Sequence, residues 1–220
     1  PYRETSAIVQ FMTKDQGRIT GVARGVRGTR KRINPMQPFS LGTLSYFGRN
    51  NLVNISKFDV AHGFALQGDA LFSGFYVLEL LTRLVAERQK EPEIFAGAVS
   101  ALTAMEAGQE LQAALRCFEL DLLGQLGYAV VLDQDVDAGT GINADAYYRY
   151  QPQIGLARVA DAAETATDPA VIQGQWLQCI QRRDFTEPQT RRAAKYITRQ
   201  ALQEILGDKP LISRKMLGSR

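Results

Sequence analysis

The feature that most constrains this chain is a change of hydrophobic period at about residue 64 of 220. Before it, apolar residues come in short runs: Thr5 to Met12, Arg18 to Arg24, Phe39 to Phe47 and Leu52 to Phe58. Asp15-Gln16-Gly17 and Gly48-Arg49-Asn50-Asn51 read as turns between them, and Pro35 and Pro38 bracket a break. From Leu66 onward the apolar residues recur at three- and four-residue intervals instead, the period of one face of a helix. Four or five short strands followed by long helices exclude an all-α or all-β chain. They predict an α+β protein, with a small N-terminal OB-type β-barrel over 1–62 and an α-helical domain over 63–220.

Three long helices open the second part. Leu71, Phe75, Leu78, Leu81 and Val85 form an apolar stripe, and the polar run Glu87 to Glu91 before Pro92 ends it. Glu93 to Ala107 is a second helix closed by Gly108. Glu110 to Leu126 is a third, with Leu111, Leu115, Phe118, Leu122 and Leu126 as its core stripe. Residues 133–161 lose the helical pattern and read as an acidic loop with a small β-hairpin insert around Tyr147 to Leu156. Asp133, Asp135 and Asp137 have the start of a calcium loop, but the twelfth position from Asp133 is Ala144, which cannot supply the closing carboxylate. Gly174 to Arg182 is a short helix carrying Trp176. In Thr190 to Leu206, Ala194, Ile197, Ala201 and Ile205 face inward, while Arg191, Arg192, Lys195 and Arg199 make a cationic face.

Net charge is only +3, but its distribution is uneven. Ten basic residues stand against two acids up to Phe58, six against seventeen from Asp59 to Gln181, and ten against four from Arg182 to the end. Two cationic ends around an acidic middle point to contact with a polyanion. Arg24, Arg27, Arg30, Lys31 and Arg32 fall within nine residues interleaved with glycine, a pliable run suited to following a phosphate backbone. Arg18 and Arg49 add to it, as do Lys209 and Arg214 in the tail. Phe39, Tyr46 and Phe47 are either base-stacking platforms or barrel core.

Catalytic chemistry has little to work with. His62 is the single imidazole and reads as structural, no serine lies in a nucleophile elbow, and the glycines do not have P-loop or dinucleotide spacing. Cys117 and Cys179 cannot form a four-ligand zinc site alone and read as free buried thiols in a reducing cytoplasm. Pro1 to Thr5 does not resemble a signal peptide, and no apolar run approaches the roughly eighteen residues of a membrane span. The expectation is no enzyme, no cofactor, no metal, no small-molecule substrate and no membrane.

Several stretches, in order along the chain, carry a family likeness. They are Glu4-Thr5-Ser6, Gly17-Arg18, Ala23-Arg24-Gly25 and Gln37-Pro38-Phe39. Tyr76 to Leu81, Leu115 to Leu120, Leu123 to Tyr128 and Tyr148-Arg149-Tyr150 follow, then Arg191 to Lys195 and Lys209 to Arg214. With these the chain resembles the RecO family of bacterial DNA repair and recombination mediators. The resemblance implies an OB-fold and a helical domain that bind single- and double-stranded DNA and anneal complementary strands. It implies two protein partners, the acidic C-terminal tail of single-strand-binding protein and RecR, in helping to load RecA, and a location with the nucleoid. The four-cysteine zinc module of many members is missing, as in a zinc-free branch. Arg116 matches the family's tail-binding arginine. With Leu120 and Leu123 at i+4 and i+7 it makes one helix face, a cation beside an apolar patch. The competing reading pairs Arg116 with a local acid such as Glu119 or Glu79. An RNA-binding OB module with a helical interaction domain is the alternative for the whole chain.

Overall fold

The structure is a computed structural model and describes residues 6–24, 36–49, 51–160 and 168–213. Two units emerge from its internal contacts, residues 1–109 with 211–220, and residues 110–210.

The first unit begins with four strands, β1 (Ala7–Thr13), β2 (Gly17–Ala23), β3 (Ser40–Phe47) and β4 (Leu52–Gly63). Their order in the sheet is β1-β2-β4-β3. β1 and β2 form an antiparallel hairpin from Ala7↔Ala23 to Thr13↔Gly17, where Gly17 adopts φ +67 at the turn. β2 runs parallel to β4, and β3 runs antiparallel to it. The sheet is open, consistent with an OB-type fold. A cleft of about 540 Å³ lies beside its edge strands, lined by Val9, Phe11, Leu44, Phe58, Leu78 and Leu102 among others. Ile19, Ala23, Val53 and Ile55 are the buried inner face.

β4 extends five residues beyond the expected end at Phe58. Its pairing with β3 is interrupted between Leu41 and Gly42 and between Ser45 and Tyr46, so alternation is lost although the ladder continues to Ser40↔Gly63. The first irregularity needs its glycine, because a Cβ on Gly42 would lie 2.1 Å from the Asp59 carbonyl oxygen.

α1 (Gly68–Leu84) and α2 (Pro92–Glu106) complete this unit. The buried face of α1 is Ser73, Gly74, Tyr76, Val77, Leu80 and Leu81, rotated from the expected stripe. Phe75 is instead 36% exposed and stacks edge-on against Phe39, whose ring also crosses the helix at Gly74. His62 is structural: Nε2 sits 2.8 Å from Glu106 Oε2, and the other Glu106 oxygen accepts from the Ala65 N–H. The Ala65 and His62 hydrogen bonds lower the Glu106 pKa.

Glu79 anchors the returning tail of the chain. Its carboxylate accepts from the N–H groups of Ile212 and Ser213, both at 2.8 Å, and from the Ser213 hydroxyl at 2.6 Å. Burial raises the Glu79 pKa, but the Ser213 and Ile212 hydrogen bonds outweigh it and the net shift is downward. A lowered folded value stabilises fully above the ordinary glutamate value of 4.5 and is lost as pH falls through the folded one. Glu79→Gln should therefore speed hydrogen exchange of the Ile212 and Ser213 amides at neutral pH. It should also flatten the acid limb of wild-type stability, and an unchanged limb would show that the anchor does not titrate.

The second unit contains α3 (Leu111–Gln125), the strands β5 (Tyr147–Gln151), β6 (Gly155–Val159) and β7 (Val171–Gln173), then α4 (Gly174–Gln181) and α5 (Pro188–Leu206). The insert is a three-stranded antiparallel sheet of order β6-β5-β7, not a simple hairpin. β7 has only three residues, too few to display a period. Tyr148 and Tyr150 are core, with Leu156, Leu177, Ile180, Ala194 and Ile197. The Tyr148 hydroxyl accepts from the Asn143 N–H at 2.9 Å, which ties the acidic loop to the sheet. Burial, then the charge of Glu204, pushes the Tyr150 pKa up to about 12. Asp135 is buried and turns its carboxylate onto the Asp137 N–H, closing the loop upon itself. Among the described residues no group of three or more His, Cys, Asp or Glu is placed to hold a metal. No described helix is long and apolar enough to cross a membrane.

Candidate nucleic-acid interface and the buried arginine

β2 directs Ile19, Gly21 and Ala23 inward, so Arg18, Thr20, Val22 and Arg24 belong to the opposite face. The two ends of that face differ. At the Gly17 end Arg18 Nε donates to the Val85 carbonyl at 3.0 Å, Arg18 Nη1 lies 3.3 Å from Glu87, and the Thr20 hydroxyl donates to Glu87 at 2.6 Å. The Arg88 N–H adds a bond to the Arg18 carbonyl. Arg18 is thus a clasp between sheet and helix end, with its guanidinium committed inside the unit.

The Arg24 end is open. Arg24 is exposed and its Nη2 lies 3.3 Å from Asn54 Oδ1. Asn54 is directly opposite Phe47, and cross-strand partners share a face. Arg24, one residue past the end of β2, thus reaches by its side chain to Asn54 of β4, which lies opposite Phe47 of β3, and the three make a row. Leu52 is exposed on the same face as Asn54, and Arg49 is exposed in the adjoining turn at Gly48. Tyr46 packs against the inner core, and Phe39 is half-buried. The sequence pattern gives no signal for Leu52 and Asn54 as members of this face. Arg27, Arg30, Lys31 and Arg32 follow Arg24 directly but lie outside the described residues, as does Arg214.

On α5, Arg191 is drawn down to the carbonyls of Phe185 and Thr186, at 2.7 and 2.6 Å, and holds the loop before the helix. Arg192 and Arg199 are exposed one above the other, seven residues apart, with half-buried Lys195 beside them. Lys209 is exposed beyond the helix end.

Arg116 has a different setting. α3 is buried on both faces of its middle turns, and Leu120 and Leu123 are core residues at 7% and 0% exposure. The face expected to stand apart from the core stripe is thus inside the protein. Arg116 is 4% exposed, with Nη2 2.9 Å from Glu119 and Nη1 3.1 Å from the Thr198 hydroxyl. Thr198 in turn donates to the second Glu119 oxygen, closing a buried triad between α3 and α5. Arg116 Nε is buried without a hydrogen-bond partner. Cys117, next along the helix, is half-buried, and burial pushes its thiol pKa up, away from thiolate reactivity.

The described residues thus form an open OB-type sheet with an exposed row of Arg24, Asn54 and Phe47, and a helical unit with Arg192 and Arg199 exposed on α5. Comparison with known families identifies the one to which the chain belongs. Residues 1–64 match the model for the N-terminal region of recombination protein O, and residues 65–215 match the model for its C-terminal region. The chain is 41% identical over 221 residues to the DNA repair protein RecO of Pseudomonas putida (strain W619), covering 100% of this chain and 93% of that protein. It is 39% identical to DNA repair protein RecO of Pseudomonas aeruginosa (strain LESB58), covering 100% and 91%. It is 37% identical to that of Actinobacillus succinogenes, covering 98% and 90%. The chain belongs to the RecO family, and its role lies in DNA repair and recombination.

Proposed function

We propose that this chain is a recombination mediator that binds single- and double-stranded DNA and anneals complementary strands without catalytic turnover. The observation that carries this reading is the pair of exposed cationic surfaces: Arg24 and Arg49 on the sheet, at the head of the run to Arg32, and Arg192 with Arg199 on α5. Annealing requires phosphate repulsion to be screened and two strands to be held close, which raises their effective concentration. Two basic surfaces supply both, and no nucleotide is consumed.

The protein partners are the tail of single-strand-binding protein and RecR. Arg116, the residue matching the family's tail-binding arginine, supports the first through its unpaired Nε donor. Because the guanidinium is only 4% exposed, a tail carboxylate reaches it by displacing Glu119. The tail's acid would then exchange one charge-assisted pair for another.

Annealing of complementary oligonucleotides, naked or coated with single-strand-binding protein and followed by donor–acceptor fluorescence without ATP, tests the reading. Wild type should anneal both. An Arg24/Arg27/Arg30 triple alanine variant should lose most annealing of naked strands. The double variant Arg116→Met with Glu119→Leu, which leaves no buried charge unpaired, should be defective only on coated strands. A wild-type protein inactive on both would sink the mediator reading, and a clear preference for RNA at equal salt would replace DNA as the ligand.

A further inference from the structure

We infer that Phe47 is a stacking platform for an unpaired DNA base and makes this sheet face select single strands over duplex. The inference rests on the DNA-binding reading above and adds to it the residue that distinguishes the two forms of DNA.

Phe47 is 61% exposed, while Tyr46 beside it packs inward. An exposed phenyl ring at the end of a strand forgoes the stabilisation its burial would bring, so its setting needs an account. The setting is specific. Leu52, 40% exposed, lies on the same face, so the ring borders a small apolar patch and not a solitary contact. Cations flank it on two sides. Arg49 is two residues along in the turn, and Arg24 stands at the other end of the row through Asn54. Strands lie about 4.8 Å apart, so the row from β2 to β3 spans roughly 10 Å, within reach of a base and the phosphates around it. Among the described residues no acid belongs to the row, and Glu87 is held at the Gly17 end of this face by Arg18 and Thr20.

Apolar ring, apolar neighbour and flanking arginines match a single-stranded polyanion with exposed π-faces. A duplex offers phosphates to the same arginines but keeps its bases stacked within the helix, where Phe47 cannot reach them. The two forms should therefore depend equally on Arg24 and Arg49 and unequally on Phe47.

Fluorescence anisotropy of the full chain with labelled oligo-dT, an abasic strand of the same length and a duplex separates these contributions. Phe47→Ala should weaken oligo-dT binding about tenfold, the effect of one lost stacked base, and change duplex binding less than twofold. It should also abolish the preference of wild type for oligo-dT over the abasic strand and leave the salt slope unchanged. Phe47→Trp should restore affinity, and its emission should be quenched on binding. Arg49→Ala should instead weaken both DNA forms and reduce the salt slope by about one. Equal losses on strand and duplex, or no loss on oligo-dT, would overturn the inference while leaving DNA binding in place. A wild type that binds no DNA would remove both readings together. Sedimentation of wild type and Phe47→Ala supplies the last outcome: a dimer that Phe47→Ala dissociates would make the patch a contact between two copies.

Discussion

Glu119→Ala is expected to destabilise the chain by about 3–5 kcal/mol, read as a lowered urea midpoint. The reason is the partner left behind. Arg116 is 4% exposed and already has one nitrogen without a partner, so removing Glu119 leaves a buried cation held only by the Thr198 hydroxyl. Glu119→Gln keeps one acceptor oxygen, for either Arg116 or Thr198, and should cost less. A loss below about 1 kcal/mol in Glu119→Ala would mean that Arg116 swings out to water when released. The double variant Arg116→Met with Glu119→Leu discriminates further, since replacing both members of a buried pair by apolar residues is often neutral or stabilising. If that variant is stable yet fails on strands coated with single-strand-binding protein, the pair is kept for partner recognition. If it works normally there, the arginine is structural only.

The second large effect concerns salt. If the six cations Arg24, Arg27, Arg30, Lys31, Arg32 and Arg49 each neutralise one phosphate, single-strand affinity should fall with a log–log slope of roughly −4, and duplex affinity with a slope of roughly −5. Between 50 and 200 mM salt that is a loss of several hundred-fold for a single strand, and more for a duplex. A titration of affinity against salt at fixed pH reads the slope directly. A slope near −1 would show that the basic run does not follow the backbone, and would shift the working surface to α5. Phe47→Ala should move the line down without tilting it, because stacking releases no counterion.

Several elements are legible in the sequence itself. The strands Ala7–Thr13, Gly17–Ala23 and Ser40–Phe47 and the helices α1 to α5 lie within a few residues of where period, proline and glycine place them. These depend on local chemistry: turn residues with restricted or permissive backbones, and apolar spacing that suits one kind of element. The last five residues of β4 and the short β7 were not legible. The first belongs to a ladder broken by two irregularities, and the second exists only because β5 offers a free edge to pair with.

The site divides the same way. Charge asymmetry, the cationic run and the aromatic pair Tyr46-Phe47 are properties of the chain itself. Which arginines are committed, and which aromatic faces outward, is not. Arg18 and Arg24 lie six residues apart on one strand face, yet one is clasped to Val85 and Glu87 while the other is exposed. Arg116 has the spacing of a helix-surface cation but is enclosed with Glu119 and Thr198, residues that α3 and α5 bring together across 79 positions of sequence. The sequence alone determined the kinds of element, their order and the sign of charge at each end, because these follow from neighbours along the chain. Only the tertiary structure decided which polar groups were already satisfied, because their partners come from elements distant in sequence and compete with water and ligand for the same hydrogen bonds.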